Sequence, residues 1–590
     1  MGRLGKKMLS VVALGMAVLA MSSCKRYLDV EPTSSFDADY AFDNAANARK
    51  AVLGAYASLA GDNGYGIRLS MYYPYDNDEM MGQAATPYPD NERRDIAHYN
   101  VQPSNTQLAA PFNQLYTGVE RANVCIYYIP KMAQYNGADS SAARDLKRLH
   151  GEALTLRAQF YLELIRNWGD LPAQFEPSFA QTNLFKGKTD RDSIYEHLLD
   201  DLKLAETLVP WRTAAGTNDE RITQGAVRAL RARIALYRGG WSLRRSGVME
   251  RGSNYRDYYQ IARDECYEIM QHSSDHKLNP SYKAVFKDAL CSNTIEPNGE
   301  ILWEVGFGGS GGTADSKLGY YNGPKYGSSA GGALTVLPSY FYMFDSTDAR
   351  RDVTIAPYDI NTDQTLKARD GYKLVDGKFR RDWSSPSILT SSAQYFGVNW
   401  PLIRFSDVLL MFAEADNELN GGPSADAIAA FEKVRIRAFG GNAALIGTTP
   451  SGYSSFFNAI VKERMLEFGG EGIRKYDLIR WNLIDAKLRE TKITLDAMAS
   501  RSGVWANYPS KMYYKSSAPL TLTWGTSFYQ PDVATPPAGY TSVNWLTNAI
   551  TNSILTYYAV AFKANHSELL PLPQAAIDAN PMMLQQDYGY

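Results

Sequence analysis

Cysteine and histidine are scarce in this chain. Four cysteines and six histidines occur in 590 residues. Cys24 belongs to an N-terminal signal described below, which leaves Cys125, Cys266 and Cys291, an odd number. A Cys266–Cys291 disulfide and buried free thiols are both compatible with the sequence, so the state of these two residues stays open at this point.

The chain also lacks an excess of either charge. It has 61 Lys and Arg residues against 63 Asp and Glu residues, which gives a net charge of −2. A nucleic-acid-binding surface needs a basic excess, so we predict no nucleic-acid partner. Beyond the N-terminal stretch, no apolar run reaches the roughly 20 residues that a membrane-spanning helix requires. We therefore expect the body of the chain to be soluble.

Motifs for metal binding and for nucleophilic or dinucleotide chemistry are incomplete. Only His272 and His276 have the spacing of metal ligands, and there is no HExxH motif. Residues 306–311 read GFGGSG after a predicted strand, but a dinucleotide site also needs a helix that opens at this point. The overlapping GxSxG pattern of residues 308–312 needs the same strand-to-helix turn. We predict no metal, no cofactor and no catalytic residue.

Three carboxylates spaced four residues apart, Glu463, Glu467 and Glu471, are the remaining catalytic candidates, because paired carboxylates carry out glycoside hydrolysis. Such a pair is normally drawn from different elements that flank a substrate cleft. Arginines lie close by in the sequence, and Glu471 and Arg474 have helical i,i+3 spacing. The spacing therefore predicts a structural ion-pair network rather than a catalytic pair.

The N-terminus carries the strongest single signal. Basic residues at positions 3, 6 and 7 precede an apolar stretch that is too short to span a membrane as a stable helix, and small residues then lead to Cys24. This is the pattern of a secretory signal peptide over residues 1–23. A cysteine at the cleavage point resembles the bacterial lipoprotein signal, in which the sulfur takes a diacylglyceryl group and the new amino terminus is acylated. We expect Cys24 to be the lipidation site and residues 24–39 to form a polar tether.

Aromatic residues are abundant, with 40 Tyr, 22 Phe and 10 Trp. Tyrosine offers a flat apolar face with a polar tip, and pyranose rings stack their C–H face on such a plane while their hydroxyls bind amides and carboxylates. In an exported protein this composition favours sugar binding. The candidate ligand residues are Tyr72, Tyr73, Tyr75, Asp76, Asn77 and Asp78 in one stretch and Tyr320, Tyr321 and Tyr326 in another. The alternative is that these tyrosines pack locally or face a protein partner.

Helical periodicity dominates the chain, because apolar residues recur at steps of three and four in successive segments. The predicted helices are 41–60, 106–128, 145–168, 190–208, 224–237, 255–272, 404–420, 424–438, 456–468 and 473–482. Their short connections indicate stacked helix–turn–helix pairs. A strand is predicted at 300–305 and a loop at 306–333, while 499–565 is predicted to be largely irregular with one helix near 550–559.

Several segments together resemble the SusD/RagB family of outer-membrane nutrient-binding lipoproteins. Each motif is weak alone, but they occur in the family's order over nearly the whole mature chain. They are Cys24 with residues 28–32, then 151–172, 194–203, 221–237, 403–415 (IRFSDVLLMFAEA), 434–437 (VRIR), 463–481, 570–573 and 580–590. On the 403–415 helix, Asp407 and Glu414 are expected to pair with arginines of neighbouring helices.

This resemblance implies a mainly α fold, in which tetratricopeptide-like helix pairs form a scaffold that carries an irregular, loop-rich region with short strands. It divides the chain into a helical region at 40–290 and a second region at 291–590. Family members stand on the outer face of the outer membrane, capture glycans or in some cases peptides, and release them into a SusC-like TonB-dependent barrel. The resemblance thus implies a non-catalytic, lipid-anchored oligosaccharide-binding protein, with a peptide ligand as the first alternative and a surface glycosidase as the second.

Overall fold

The computed structural model describes residues 38–83, 89–137, 140–309, 311–583 and 586–590. The predicted signal peptide at 1–23, Cys24 and nearly all of the 24–39 tether lie outside these residues and stay predictions. Among the described helices, none combines the length and the apolar character that crossing a bilayer requires.

Helices make up most of the regular structure, as predicted. In chain order they are α1 (Ala38–Ala41), α2 (Ala45–Tyr56), α3 (Arg93–Ala97), α4 (Ala109–Tyr128), α5 (Ser141–Trp168), α6 (Arg191–Ala205), α7 (Gln224–Arg238), α8 (Tyr255–Gln271), α9 (Tyr282–Ala284), α10 (Leu318–Tyr321), α11 (Pro338–Phe341), α12 (Arg351–Thr354), α13 (Phe405–Asn420), α14 (Ala425–Ala438), α15 (Tyr453–Phe468), α16 (Arg474–Arg480), α17 (Ile484–Ala499) and α18 (Gln574–Ala579).

Short strands form small antiparallel sheets between the helices. The strands are β1 (Met80–Met81), β2 (Ser242–Leu243), β3 (Met249–Glu250), β4 (Ile301–Val305), β5 (Thr335–Val336), β6 (Ile355–Ala356), β7 (Tyr358–Ile360), β8 (Leu366–Ala368), β9 (Val375–Asp376), β10 (Trp400–Arg404), β11 (Lys511–Ser517), β12 (Thr521–Trp524) and β13 (Thr541–Asn544). The sheet orders are β1-β5-β9-β6, β10-β4, β12-β11-β13, β2-β3 and β7-β8.

The long helices pack against their neighbours in sequence. α4 packs on α5, α5 on α6, α6 on α7 and α7 on α8, which is the arrangement of stacked helix pairs. α8 then lies along α13, and α13 also contacts α14 and α15. One apolar core holds buried residues from Phe42 to Met583, so both sides of the predicted 290/291 division contribute to it.

The local sequence explains the ends and the interior of α5. The Ser140 hydroxyl accepts a hydrogen bond from the Ala143 amide at 3.1 Å and caps the first turn. Gly169 ends the helix with φ +78°, a conformation that costs glycine little. Within the helix, the buried Arg157 guanidinium binds Asp201 at 2.7 Å, which satisfies a charge that burial would otherwise penalise.

The region 499–565 departs from the prediction. It was expected to be largely irregular, but it contains the three-stranded sheet β12-β11-β13. Only one face of β11 packs on the core, through the buried Met512, while its other residues are Lys, Tyr and Ser. That composition resembles a loop, which is why periodicity did not reveal the strands. The helix predicted near 550–559 is a short π-helix at Thr551–Leu555, and α17 was not predicted.

The three cysteines of the body are free and buried. Cys266 and Cys291 are therefore free thiols and do not form a disulfide. Burial raises the pKa of Cys125 and of Cys291 to about 12. Both thiols are therefore protonated at neutral pH and act as small apolar side chains.

The two histidines with ligand spacing are held by packing contacts. The His272 ring stacks on Trp211 with centroids 3.6 Å apart. His276 is fully buried, and its Nδ1 lies 2.9 Å from the Gly299 carbonyl oxygen. Within the described residues, no three His, Cys, Asp or Glu side chains are grouped in a way that could hold a metal ion.

The contribution of His276 to stability is expected to fall as the pH drops from about 6.5 to about 4. Burial lowers the pKa of His276 to about 4, while the unfolded chain binds the proton near pH 6.5. The unfolded state is therefore favoured progressively through this window, by roughly 3 kcal/mol at its acid end. Urea unfolding at pH 7 and pH 5 measures the slope of stability against pH, and His276→Gln should remove the part that favours unfolding at the lower pH. An unchanged slope in the variant would contradict this cause.

Candidate functional site

The carboxylates considered for catalysis lie inside the protein. Glu467 accepts hydrogen bonds from Arg437 at 2.6 Å and from Arg404 at 2.9 Å. Glu471 binds Arg404 at 2.8 Å and the Lys378 ammonium at 2.6 Å. All of these side chains are buried. The carboxylates face no cleft, so the predicted ion-pair network is confirmed.

The partners within this network differ in part from those predicted. Glu471 does not pair with Arg474, because Arg474 binds Asp78 through two hydrogen bonds of 2.7 and 2.8 Å. Asp407 does pair with an arginine of a neighbouring helix, Arg464, at 2.6 Å. Burial alone would raise the pKa of Asp407, but Arg464 and Arg233 outweigh it and lower the pKa to about 2.

Most of the first predicted ligand stretch also lies in the interior. Five of its six residues are buried: Tyr73, Tyr75, Asp76, Asn77 and Asp78. The Asp76 carboxylate lies 2.9 Å from His98 Nδ1, and the Asn77 amide oxygen accepts from the Glu79 and Met80 amides at 2.8 and 3.0 Å. These groups hold the turn in place instead of facing solvent, so we leave the five residues out of the candidate site.

Three other tyrosines of the prediction, Tyr72, Tyr320 and Tyr321, lie close together at the surface. Tyr72 and Tyr321 line the same notch, and the rings of Tyr320 and Tyr321 meet edge to face with centroids 4.9 Å apart. Phe396, which the prediction missed, lies 6.5 Å from Tyr320, and its neighbour Tyr395 stands beside it in the chain. All five side chains are half-buried. We call them the aromatic platform.

Hydrogen bonds between loops bring the platform together. The Lys317 amide donates to the Gly66 carbonyl at 3.0 Å, and the Phe396 amide donates to the Ser316 carbonyl at 3.0 Å. The loop before α10 therefore lies between the segment that leads into the π-helix Arg68–Tyr72 and the loop that carries Phe396. Three segments distant in sequence thus place their rings side by side.

A polar cluster borders the platform. The Asp62 carboxylate accepts from the Lys317 ammonium and from the Tyr395 hydroxyl, both at 3.0 Å. Partial burial acts to lower the pKa of Lys317, but the hydrogen bonds to Tyr395 and Asp62 outweigh it and raise the pKa. Lys317 therefore keeps its charge and its donor hydrogens at neutral pH.

Arginines lie over two of the rings. The Arg93 and Arg68 guanidinium carbons lie 5.9 and 6.0 Å from the centre of the Tyr72 ring. The Arg381 guanidinium lies 4.8 Å from the Phe396 ring centre, within the range of cation–π attraction. Burial lowers the pKa of Arg381, which remains charged since arginine does not deprotonate in proteins.

The notch between Tyr72 and Tyr321 is narrow. Its free volume is about 10 Å³, which is room for about one water molecule. Arg93 and Gln83 form part of its polar edge, and Ala333 and Leu334 part of its apolar wall. The notch therefore has no room for a ring-sized ligand, and only a small polar group could enter it.

Tyr326 lies apart from the platform. Its backbone pairs with Ile360, and its ring packs against a small apolar cluster of Ile360, Leu366 and Leu389. The structure thus unites Tyr72, Tyr320 and Tyr321 and separates Tyr326 from them. The missed pair Tyr395-Phe396 carries the same sequence signal as Tyr320-Tyr321, since both are adjacent aromatics in a Gly/Ser-rich stretch.

Two family models match this chain. The SusD family model matches residues 361–590, and a model described as "Starch-binding associating with outer membrane" matches residues 26–236. A SusD-like protein of Formosa agariphila is 25% identical over 519 residues, which cover 81% of this chain and 90% of that protein. The chain is a protein of the SusD type and belongs to the SusD/RagB family, as the sequence motifs predicted.

Solved structures have the same fold. A SusD homolog from Bacteroides thetaiotaomicron matches with a TM-score of 0.72 and 22% identity over 92% of this chain and 97% of its own. Surface glycan-binding protein A from the same species, in complex with laminarihexaose, matches with a TM-score of 0.60 and 18% identity over 92% of this chain and 99% of its own. The predicted scaffold of helix pairs is therefore confirmed.

Proposed function

We propose that this protein is a non-catalytic binding lipoprotein that captures an oligosaccharide at the cell surface and delivers it to a SusC-like TonB-dependent barrel. The aromatic platform carries the proposal. Half-exposed rings give a pyranose C–H face a flat apolar partner. Lys317, Arg93 and Gln83 stand at its border with donors and acceptors for hydroxyl groups.

The comparisons support a glycan as the ligand class. One matching family model is described as starch-binding and associating with the outer membrane, and one solved neighbour holds laminarihexaose. The same description supports the outer membrane as the location. Anchoring through Cys24, exposure to the exterior and the barrel partner rest on the resemblance of the sequence motifs.

The buried carboxylates support binding without catalysis. A hydrolase needs two carboxyl groups on either side of a cleft that a sugar can enter. Glu463, Glu467 and Glu471 are instead surrounded by arginine and lysine in the interior. Bond cleavage in any tested glycan by the purified protein, abolished by one Glu or Asp substitution, would overturn this part of the proposal.

Removal of platform rings is expected to weaken glycan binding strongly. Tyr321→Ala and Tyr72→Ala should each lower affinity by roughly 10-fold or more, because central aromatic anchors often contribute 2 kcal/mol or more to binding. Isothermal titration calorimetry with laminarihexaose, maltohexaose, cellohexaose, xylohexaose and mannohexaose measures the effect.

Tyr40→Ala is the matched control for these variants, since this tyrosine of α1 is 53% exposed and does not line the notch. It should bind like the wild type. Unchanged affinity in both platform variants would contradict the site assignment. Binding of peptides without binding of any glycan would show that the ligand is a peptide and not an oligosaccharide.

A further inference from the structure

A second and larger cavity lies on another part of the protein. It has a volume of about 460 Å³, which is within the usual range for small-molecule sites. α15, α17, the end of α11 and the short 3₁₀-helix Gly503–Asn507 enclose it. The platform residues are not among its walls.

One wall of this cavity is aromatic. Trp505 and Tyr342 both line it, and their ring centroids are 5.4 Å apart. Further rings fix the positions of these two: Tyr508 lies 4.9 Å from Trp505 and 5.0 Å from Tyr342. The Tyr342 hydroxyl also donates to the Phe528 carbonyl at 2.9 Å. The wall is therefore preorganised, which lowers the entropic cost of binding.

Another part of the lining is polar. Asn458 and Lys462 project from α15 as exposed residues, and Lys487 and Glu490 come from α17. Lys487 and Glu490 pair with each other at 2.7 Å while their side chains remain 31% and 65% exposed, so each keeps hydrogen-bonding capacity. Among the described residues, the buried Ser339 hydroxyl oxygen in the cavity has no hydrogen-bond partner.

The floor of the cavity is rigid and neutral. Arg474 and Asp78 form it through two hydrogen bonds of 2.7 and 2.8 Å. Because these two opposite charges pair with each other, this part of the cavity does not require a charged ligand. Asp78 comes from the same stretch as Tyr72, so that stretch reaches the platform at one end and the second cavity at the other.

We propose that this cavity is a second saccharide-binding site, which takes one or two pyranose units of a neutral oligosaccharide. The aromatic wall would contact the C–H face of the ring, and Asn458, Lys487 and Glu490 would bind its hydroxyls. This inference rests on the proposed function, since both sites would act on the same ligand class. It adds a site that the sequence motifs and the comparisons do not assign.

Calorimetry with the same five hexaoses tests the proposal through stoichiometry. The wild type should bind a hexaose of the panel at two sites, and Trp505→Ala should remove one of them. Asn458→Ala changes an exposed side chain with little risk to folding and should weaken the same site by 3-fold or more. Val504→Ala is the matched control, because Val504 is 69% exposed and does not line the cavity.

The Tyr72→Ala/Tyr321→Ala double variant separates the two sites. The double variant should still bind a hexaose at one site, and the addition of Trp505→Ala to it should abolish that binding. The wild type could instead bind at one site only, with that binding abolished in the double variant and unchanged in Trp505→Ala and Asn458→Ala. This result would overturn the second site and leave the proposed function standing. A single site lost in Trp505→Ala and kept in the double variant would support the cavity and contradict the platform. No binding of any hexaose by the wild type would overturn the saccharide assignment of the cavity.

Discussion

Arg404→Met is expected to lower the free energy of unfolding by about 3–5 kcal/mol. The Arg404 guanidinium donates to Glu300 at 2.8 Å, to Glu467 at 2.9 Å and to both oxygens of Glu471 at 2.8 Å. Methionine fills much of the same space but donates nothing, so three buried carboxylates lose a shared partner. The cost comes mainly from charge left unpaired in a medium of low polarity.

The position of Arg404 makes the effect global. It ends β10 and directly precedes α13. Of the carboxylates it binds, Glu300 directly precedes β4, Glu467 lies in the last turn of α15 and Glu471 follows that helix. The network therefore links helices of the scaffold to the strand pair β4-β10. Its loss should reduce the cooperativity with which these elements unfold.

Arg489→Met is the matched control for this substitution. Arg489 is 70% exposed and pairs with Asp485 at 2.6 Å on the same helix, and exposed pairs of this kind contribute about 0.3–0.5 kcal/mol. Thermal and urea unfolding followed by circular dichroism should show a large fall of the midpoint for Arg404→Met and almost none for Arg489→Met. Equal midpoints in the two variants would show that the buried network contributes no more than a surface pair.

The helical scaffold could be predicted from sequence because its signals are local. α5 was predicted at 145–168 and spans Ser141–Trp168, and α13 was predicted at 404–420 and spans Phe405–Asn420. A stripe of apolar residues at steps of three and four identifies such helices without knowledge of their partners. The ion-pair network was also predictable in kind, since acidic and basic residues alternate along α15 and α16.

The partners in the network and the exposure of the ligand residues could not be predicted in the same way. Arg474 pairs with Asp78, 396 positions away, instead of with Glu471 nearby. Asp76 is buried because His98 and the Ala559 amide bind its carboxylate at 2.9 and 2.7 Å. Such contacts depend on which distant segments pack against each other, and composition alone does not show that packing.

Neighbouring tyrosines illustrate the same limit. Tyr72 is half-buried on the platform, whereas Tyr73 is buried and donates its hydroxyl hydrogen to the Gln107 carbonyl at 2.8 Å. The two residues are identical and adjacent, so only the packing of the turn decides which one faces the surface. The sequence could therefore predict that this stretch is rich in side chains suited to sugar binding, but not which of those side chains are exposed to a ligand.

Cys24→Ala is expected to release the protein from the membrane completely. Each buried methylene of an acyl chain contributes about 0.8 kcal/mol to membrane residence, and a single chain gives only reversible binding. A residue that carries a diacylglyceryl group and an acylated amino terminus would add several chains at one point, so dissociation would be negligible. Removal of the sulfur removes the attachment point, and no helix among the described residues could replace it.

Cell fractionation and incorporation of labelled palmitate measure this outcome. The Cys24→Ala protein should move to the soluble fraction and take up no label, while Ser23→Ala, a change of one small residue for another beside it, should stay membrane-bound and labelled. The released protein should bind the same hexaoses as the wild type, because the platform lies in the folded body. Membrane retention of Cys24→Ala would contradict lipidation at this residue.

The same variant tests delivery to a barrel partner. Capture and delivery are separate requirements, since a binding protein that diffuses away still captures its ligand but no longer concentrates it at the transporter. Cells that carry Cys24→Ala should therefore lose growth on the cognate glycan even though the purified variant binds it. Normal growth with the unanchored protein would show that anchoring, and with it a fixed position over a barrel, is not part of its function.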